Sequence, residues 1–356
     1  MSRLFVVVAL VTLLPAPVLA RTIRVPSEET TIQRAVFLAS DGDTVSVGPG
    51  TYSDRFTIRF KNIVLRGEAG ADATILDGSG GVGNVVTLHG VNRSMIVEDL
   101  TIVGGTFNTV AVESVGSAIY INQGHPTIQR CKLTANDANS GGGIAAYFFS
   151  RPRIEDCWVA YNEGGGIFIE TGDGDPPGGL PEDKAQIVNT VIVRNRGFGV
   201  SIIKGAKAEI LHSTIAHNTG DGVRSEITAG GGGGKSWVTI KNTLITNNAT
   251  GIIRRDNGVC FTLECNDVWS NPNETAPRNW VGVLQGDPCF SGRGPGSLSI
   301  DPSYTDAAND DFSLRQSSPL FTLCQPDGCG AIGADVECPV GVTSHTSWGA
   351  VKSLFR

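Results

Sequence analysis

The stretch Gly199-Val200-Ser201-Ile202-Ile203-Lys204-Gly205-Ala206-Lys207-Ala208-Glu209-Ile210-Leu211-His212-Ser213-Thr214-Ile215-Ala216-His217-Asn218-Thr219-Gly220-Asp221-Gly222-Val223 ends on the same glycine plus β-branched pair with which it begins. Inside it, Gly-Val-Ser-Ile-Ile and Ala-Glu-Ile-Leu-His-Ser-Thr-Ile alternate with a period of two, as half-buried strands do, and no ten-residue helical pattern intervenes. The pair recurs at Gly143-Ile144, Gly166-Ile167, Gly199-Val200, Gly222-Val223 and Gly251-Ile252, with spacings of 23, 33, 23 and 29. A second column, a small or polar residue followed by x-(Leu/Val/Ile)-x-x-Asn, runs Cys131–Asn136, Cys157–Asn162, Thr190–Asn195, Ser213–Asn218, Thr243–Asn248 and Asn266–Asn271. Its asparagines are 26, 33, 23, 30 and 23 apart.

Two visible insertions, Gly172–Lys184 and Ala229–Lys235, account for the longer spacings, so the unit is 23 residues. That length makes a coil of two or three short strands. Leucine-rich repeats share the period but need a leucine ladder that is missing here. Stacked coils put each strand in parallel register with its copy about 4.8 Å away. The expected fold is all-β, a right-handed parallel β-helix of roughly ten coils, the hand following from the preference of parallel crossovers. Glycine and asparagine at the corners are expected to supply positive φ, and the asparagine column to hydrogen-bond from coil to coil. Ile32, Ala35, Val36 and Ala39 fall at i, i+3, i+4 and i+7, predicting an amphipathic helix over the open first coil.

Composition agrees with such a chain. Glycine, 46 of 356 residues, is about twice its ordinary share of roughly 7%. Forty per cent hydrophobic residues argue against disorder, and a net charge of −7 argues against a nucleic-acid partner. Residues 1–20 read as an export signal: a basic start, an apolar run Leu4–Leu14 too short to span a bilayer, two prolines and a small residue at Ala20. No later segment reads as a transmembrane span. The mature protein is expected to be secreted, to the periplasm, cell surface or exterior, and monomeric. The expected organisation is signal peptide 1–20, β-helix with its cap 21–290, closing segment 291–340 and a disordered tail 341–356.

The opening Thr31-Ile32-Gln33-x-Ala35-Val36, with Gly42-Asp43-Thr44-Val45-Ser46-Val47-Gly48-Pro49-Gly50-Thr51-Tyr52, resembles that of the secreted right-handed parallel β-helix proteins of the pectate-lyase-like superfamily. The Gly-Ile/Asn units resemble its generic repeats. Asp301-Pro302, Asp310-Asp311-Phe312-Ser313-Leu314, Ser317-Ser318-Pro319 and Gly330-Ala331-Ile332-Gly333-Ala334 resemble the closing segment of many secreted bacterial members. The resemblance implies fold over about Arg21–Val340. It does not choose among lyases, hydrolases, esterases, epimerases and scaffolds.

Eight cysteines in an exported chain favour disulfides. Cys131 and Cys157 share a column of consecutive coils, close enough to bridge or to stack unbridged. Cys260, Cys265, Cys289, Cys324, Cys329 and Cys338 are candidates for tying the closing segment to the last coils.

Alternation after each glycine sends Ala145, Tyr147, Phe168, Glu170, Ser201, Ile203, Arg224, Glu226, Ile253 and Arg255 outward. Tyr147, Phe168 and Glu170 could line a sugar groove; a solvated face with pairs such as Glu226–Arg255 is the plain alternative. For β-elimination from a polyuronate, Asp173 and Asp175 of the first insertion could hold calcium with Glu170 at its root, and Lys204, Arg224, Lys235 or Arg255 could serve as base. For glycoside hydrolysis, Glu170 and Glu226, two coils apart, stand about 9.6 Å from each other, near the upper end of the inverting range. The functional expectation is a carbohydrate-active or carbohydrate-binding protein whose partner is a polysaccharide, acidic if the chemistry is that of a lyase with catalytic Lys204, Arg224, Glu226 and Arg255. A non-catalytic binding or structural solenoid is the alternative.

Overall fold

The structure, a computed structural model, describes residues 20–106, 117–170, 184–226, 235–254, 259–271, 294–322, 329 and 332–334. Among them three all-parallel sheets wind around one core. Sheet A has ten strands, from Thr22–Val25 to Val259–Glu264; sheet B has nine, from Gly50–Tyr52 to Asp267–Trp269; sheet C has eight, from Phe56–Arg59 to Thr250–Arg254. The chain visits them in the order A, B, C, and the register repeats without slip: Ile192 faces Val159 and Ile215, and Ile202 faces Ile169 and Ser225. Inward positions such as Ile154, Ile187 and Ile210 of sheet A stack into a continuous apolar core. The helix Ile32–Leu38, capped by Thr31, buries Ile32, Ala35 and Val36 against the first strands. No helix among the described residues is long and apolar enough to cross a membrane.

The asparagine column forms the expected ladder at the corner from sheet B to sheet C. Nδ2 of Asn136, Asn162, Asn195 and Asn218 each donates to Oδ1 of the next asparagine at 2.9–3.0 Å, and Asn248 donates to Asn271 at 3.3 Å. All six are buried, so each coil is closed by a satisfied polar rung inside the wall.

The glycine column departs from expectation. Gly143, Gly166, Gly199 and Gly222 do not have positive φ; a Cβ on any of them would lie 2.6–2.7 Å from the carbonyl oxygen of the next coil's glycine and 2.4–2.7 Å from a valine or isoleucine methyl of sheet B. They are glycines because two coils touch there. Left-handed positions beside the two ladders are Ala135, Tyr161, Arg194, His217 and Asn247 before the asparagine column, and Arg130, Asp156, Asn189, His212 and Asn242 between sheets A and B; asparagine supplies some of them as expected, glycine supplies Gly164, Gly165 and Gly197 farther along the corner, and the rest are ordinary side chains.

The residue after this second set of corners builds another ladder. Backbone N–H groups of Cys157, Thr190, Ser213 and Thr243 donate to side-chain oxygens of Thr190, Ser213, Thr243 and Asn266 in turn. Each hydroxyl donates back to the carbonyl two residues before it, Thr190 to Val188 and Ser213 to Leu211 at 2.9 Å. Cys131 and Cys157 occupy the first rungs and behave alike: their Sγ atoms lie 3.3 and 3.2 Å from Gln129 O and Glu155 O. A bridge between these two cysteines is therefore corrected: both are free and fully buried. Burial pushes the Cys131 thiol up, and Cys157 beside it adds to the shift, which disfavours the thiolate that oxidation needs. The double variant Cys131→Ser, Cys157→Ser should release two fewer thiols on titration in denaturant without reductant. It should change unfolding free energy by less than about 1 kcal/mol, since serine can take over each rung.

Cys265 is bridged to Cys329, tying the closing segment to the last coils, and Cys260 is also disulfide-bonded. Cys289, Cys324 and Cys338 lie outside the described residues, as do residues 1–19 and the tail 341–356. The closing segment does not stay at the end of the solenoid. Its antiparallel hairpin, Tyr304–Asp306 and Asp311–Leu314, lies back across the outer face of sheet B. Val191, Val193, Ala160 and Ala216 are buried with Phe312 and Ala334, and Leu244 with Leu320 and Ile332. Left-handed Asp310 at the tip accepts hydrogen bonds from Tyr161 and from Arg194 Nε at 2.6 Å, and the hydroxyls of Tyr304 and Thr246 meet at 2.9 Å.

Candidate functional site

The strand register sorts the residues that face outward from sheet C into two columns. One runs Thr87, Tyr120, Ala145, Phe168, Ser201, Arg224, Ile253, near the corner with sheet B. The other runs Arg59, His89, Asn122 and Tyr147, then Glu170, Ile203 and Glu226, near the corner with sheet A. The sequence-predicted outward set is thus outward by register, but much of it is not open to solvent. Ala145, Phe168, Ser201 and Ile203 are buried. Ring centroids step from Tyr120 to Tyr147 (5.6 Å), Tyr147 to Phe168 (5.0 Å) and Phe168 to Phe198 (6.3 Å), so Phe168 sits inside an aromatic layer. Its expected role as an exposed sugar platform is corrected on that ground. Burial, with Glu170 close by, pushes the half-buried Tyr147 phenol up.

The residues expected to carry chemistry are split between the two edges. Lys204 takes a left-handed corner at the sheet A edge, and its Nζ lies 2.6 Å from Glu170 Oε1. Glu226 follows Ile203 in the same column, so the buried Ile203 side chain stands between the positions of the two glutamates. That arrangement does not leave Glu170 and Glu226 facing one another across an open cleft. Arg255, Asp173 and Asp175 lie outside the described residues. Among the described residues no group of three or more His, Cys, Asp or Glu side chains is gathered as metal ligands.

Arg224 belongs to the other edge. Its guanidinium carbon is 4.2 Å from the centroid of the Phe198 ring, and its Nε donates to Ser201 Oγ at 2.9 Å. Stacking plus a directed hydrogen bond fix the plane of the cation while its side chain keeps partial access to solvent. Beside it an open groove of about 490 Å³ follows the corner between sheets B and C. Gly164, Gly197 and Gly220 line it, with the polar side chains of Asn139, Ser140, Thr219 and Thr250 and with Asp221 next to Arg224. A Cβ at 164 would lie 2.2 Å from Ala138 O and one at 220 would lie 2.9 Å from Gly197 O, so backbone packing enforces this low glycine lining. Sequence reasoning named Arg224 but missed the groove. Its signal is the run of small residues between the asparagine and glycine columns: Asn139-Ser140, Gly164-Gly165, Gly197, and Thr219-Gly220.

Parallel coils, an internal asparagine ladder and a helical cap define the class: a right-handed parallel β-helix. Residues 73–228 match the family model described as a right handed beta helix region. Solved structures similar to this chain include a pectate lyase (11% identity, 89% of this chain and 96% of that one, TM-score 0.47). A pectin methylesterase from Aspergillus niger (12% identity, 81% and 93%, TM-score 0.44) and one from carrot (14% identity, 85% and 98%, TM-score 0.40) are also similar. No curated protein sequence matches.

Proposed function

We propose that the protein binds an extended acidic polysaccharide along the corner groove between sheets B and C, outside the cytoplasm. The carrying observation is Arg224, oriented by Phe198 and Ser201 beside an elongated, polar, glycine-lined trough. The trough crosses consecutive coils, so equivalent positions recur about every 4.8 Å along it, close to what one pyranose adds to an extended chain. Amide and hydroxyl side chains suit sugar hydroxyls, and a planar cation suits a uronate carboxylate. The disulfides and the apolar run Leu4–Leu14 support an exported protein.

Electrophoresis through gels carrying polygalacturonate or alginate tests the reading. The wild-type chain should be retarded, and Arg224→Gln should bind about tenfold more weakly, the loss expected for one charge-assisted contact. Absence of retardation in every polyuronate gel removes the proposal. Release of ultraviolet-absorbing unsaturated product from either polymer would add β-elimination to the binding function.

A further inference from the structure

We propose a second polysaccharide contact on the opposite edge of sheet C, a row of exposed phenylalanines, Phe60, Phe148 and Phe149, that stack on pyranose faces. The inference rests on the reading that the ligand is a polysaccharide but assigns a surface which that reading does not use.

Phe60, Gly90, Gln123 and Phe148 are successive rungs at the corner from sheet C to sheet A. Backbone N–H of Phe60, Gly90 and Gln123 donates to His89 O, Asn122 O and Tyr147 O of the next coil in turn. Three coil steps therefore separate Phe60 from Phe148, about 14 Å.

Packing fixes the Phe60 ring, and a hydrogen-bonded turn fixes the backbone that carries Phe148 and Phe149, although all three side chains are open to solvent. Phe60 is 71% exposed, yet its ring packs directly on Gly90, where a Cβ would lie 2.4 Å from Cδ1 and Cε1, and it meets the His89 ring edge-on at 5.0 Å. Any side chain at position 90 would displace it. Phe148 and Phe149 are 48% and 36% exposed and adopt consecutive left-handed conformations, φ 51° and 61°. Two β-region-preferring aromatics in that conformation are strained. The buried Ser150 hydroxyl holds the turn, accepting from Gly124 N at 3.1 Å and donating to Tyr147 O.

The surroundings select the occupant. Exposed Gln123 lies between Phe60 and the adjacent pair Phe148 and Phe149, and exposed Arg59 and the Lys204–Glu170 pair flank them, so the apolar spots are small and set in a polar edge. A contiguous apolar patch would suit a protein or lipid partner; spaced rings among hydrogen-bonding groups suit sugars, which present both hydroxyls and an apolar ring face. The row also continues the groove's own aromatic layer, since Phe148 lies 6.2 Å from Tyr147, which leads through Phe168 to Phe198 beneath Arg224.

The test uses the full exported chain with Phe60→Ala, Phe148→Asn and Phe149→Asn combined, asparagine being chosen because it tolerates positive φ. Binding to polygalacturonate, alginate and a neutral galactan is measured at low and high salt, alongside Arg224→Gln. Loss of stacking should weaken binding by about tenfold at both salt concentrations, because the contact is uncharged, whereas the Arg224 deficit should shrink as salt rises. A triple variant that melts like the wild type and binds all three polymers unchanged overturns the inference, with polyuronate binding by the wild type leaving the groove reading intact. Vesicle binding or self-association that vanishes in the triple variant, with glycan binding unaltered, overturns it equally. Should the triple variant fail to fold, Phe60→Ala alone is expected to show a weaker deficit of the same salt-insensitive kind, and an unchanged affinity overturns the proposal.

Discussion

Gly199→Ala is expected to lower the unfolding free energy by about 3 kcal/mol or more, the upper end of overpacking costs. The added methyl would lie 2.5 Å from Ile215 Cγ2, 2.6 Å from Gly222 O and 3.0 Å from Asn218 Nδ2. None of the three can retreat cheaply. Ile215 is core, Gly222 O is backbone of the next coil, and Asn218 is a rung bonded on both sides. Gly80→Ala is the control, with ordinary φ and nothing within 4 Å, and should stay within about 0.5 kcal/mol of the wild type. Urea unfolding of the two variants decides the matter. A Gly199→Ala protein as stable as Gly80→Ala would mean that the coils can separate at this contact.

The second large effect is a pH dependence carried by Asp267. This carboxyl, at the start of the last strand of sheet B, is fully buried; Oδ1 accepts from Ile300 N at 2.9 Å and Oδ2 has no partner among the described residues. Burial pushes it from 3.8 up to about 7, opposed by the Ile300 hydrogen bond and assisted by Asp301. The neighbouring Tyr304 phenol, partly buried, is pushed up by desolvation, with Asp267 adding to the shift. Between pH 4 and 7 the folded state keeps a proton that the unfolded chain has lost, so stability falls as pH rises through that window and is flat above it, by on the order of 4 kcal/mol in all. Asp267→Asn keeps the Oδ1 acceptor and removes the charge, so it should be clearly more stable than the wild type at pH 8 and differ little at pH 4. His217 acts in the opposite sense: burial, with Arg194 nearby, holds its imidazole below 6.5, so stability falls as pH drops beneath that value. In Asp267→Asn the contribution of His217 should therefore run upward with pH as the imidazole loses its proton. Melting temperatures across pH 4–8 test both signs, and parallel curves for wild type and variant would exclude Asp267 as the titrating group.

The coil was legible because both repeating columns mark places where one copy touches the next. Asn195 must reach Asn218, and Gly199 must admit Gly222 O, so the residue types cannot drift. The corners themselves were invisible. Arg194 and His217 adopt left-handed conformations without any shared side-chain character, because a modest local cost is offset by the ladder bonds on either side. The two cysteines read equally well as a bridge or a stack, since what separates them is the direction each thiol points. The hairpin across sheet B has a mark in the strand it covers: Val191-Ile192-Val193 is apolar at all three positions, as suits a strand covered on both faces. As for the site, residue types could place Arg224 on a sheet, but the groove depends on backbone packing at Gly164 and Gly220, which no single position reveals.

A stack of coils in which each senses only its neighbours can peel from either end, one rung at a time. The hairpin changes that arithmetic. Asp310 is bonded to Tyr161, 149 residues away, and to Arg194, 116 away, while Tyr304 holds Thr246 at a separation of 58. Loss of the last coils must therefore drag the strap off coils much nearer the middle, and the terminal third should resist pulling and proteolysis as one block rather than fray. That turns a linear repeat into a clamped rod.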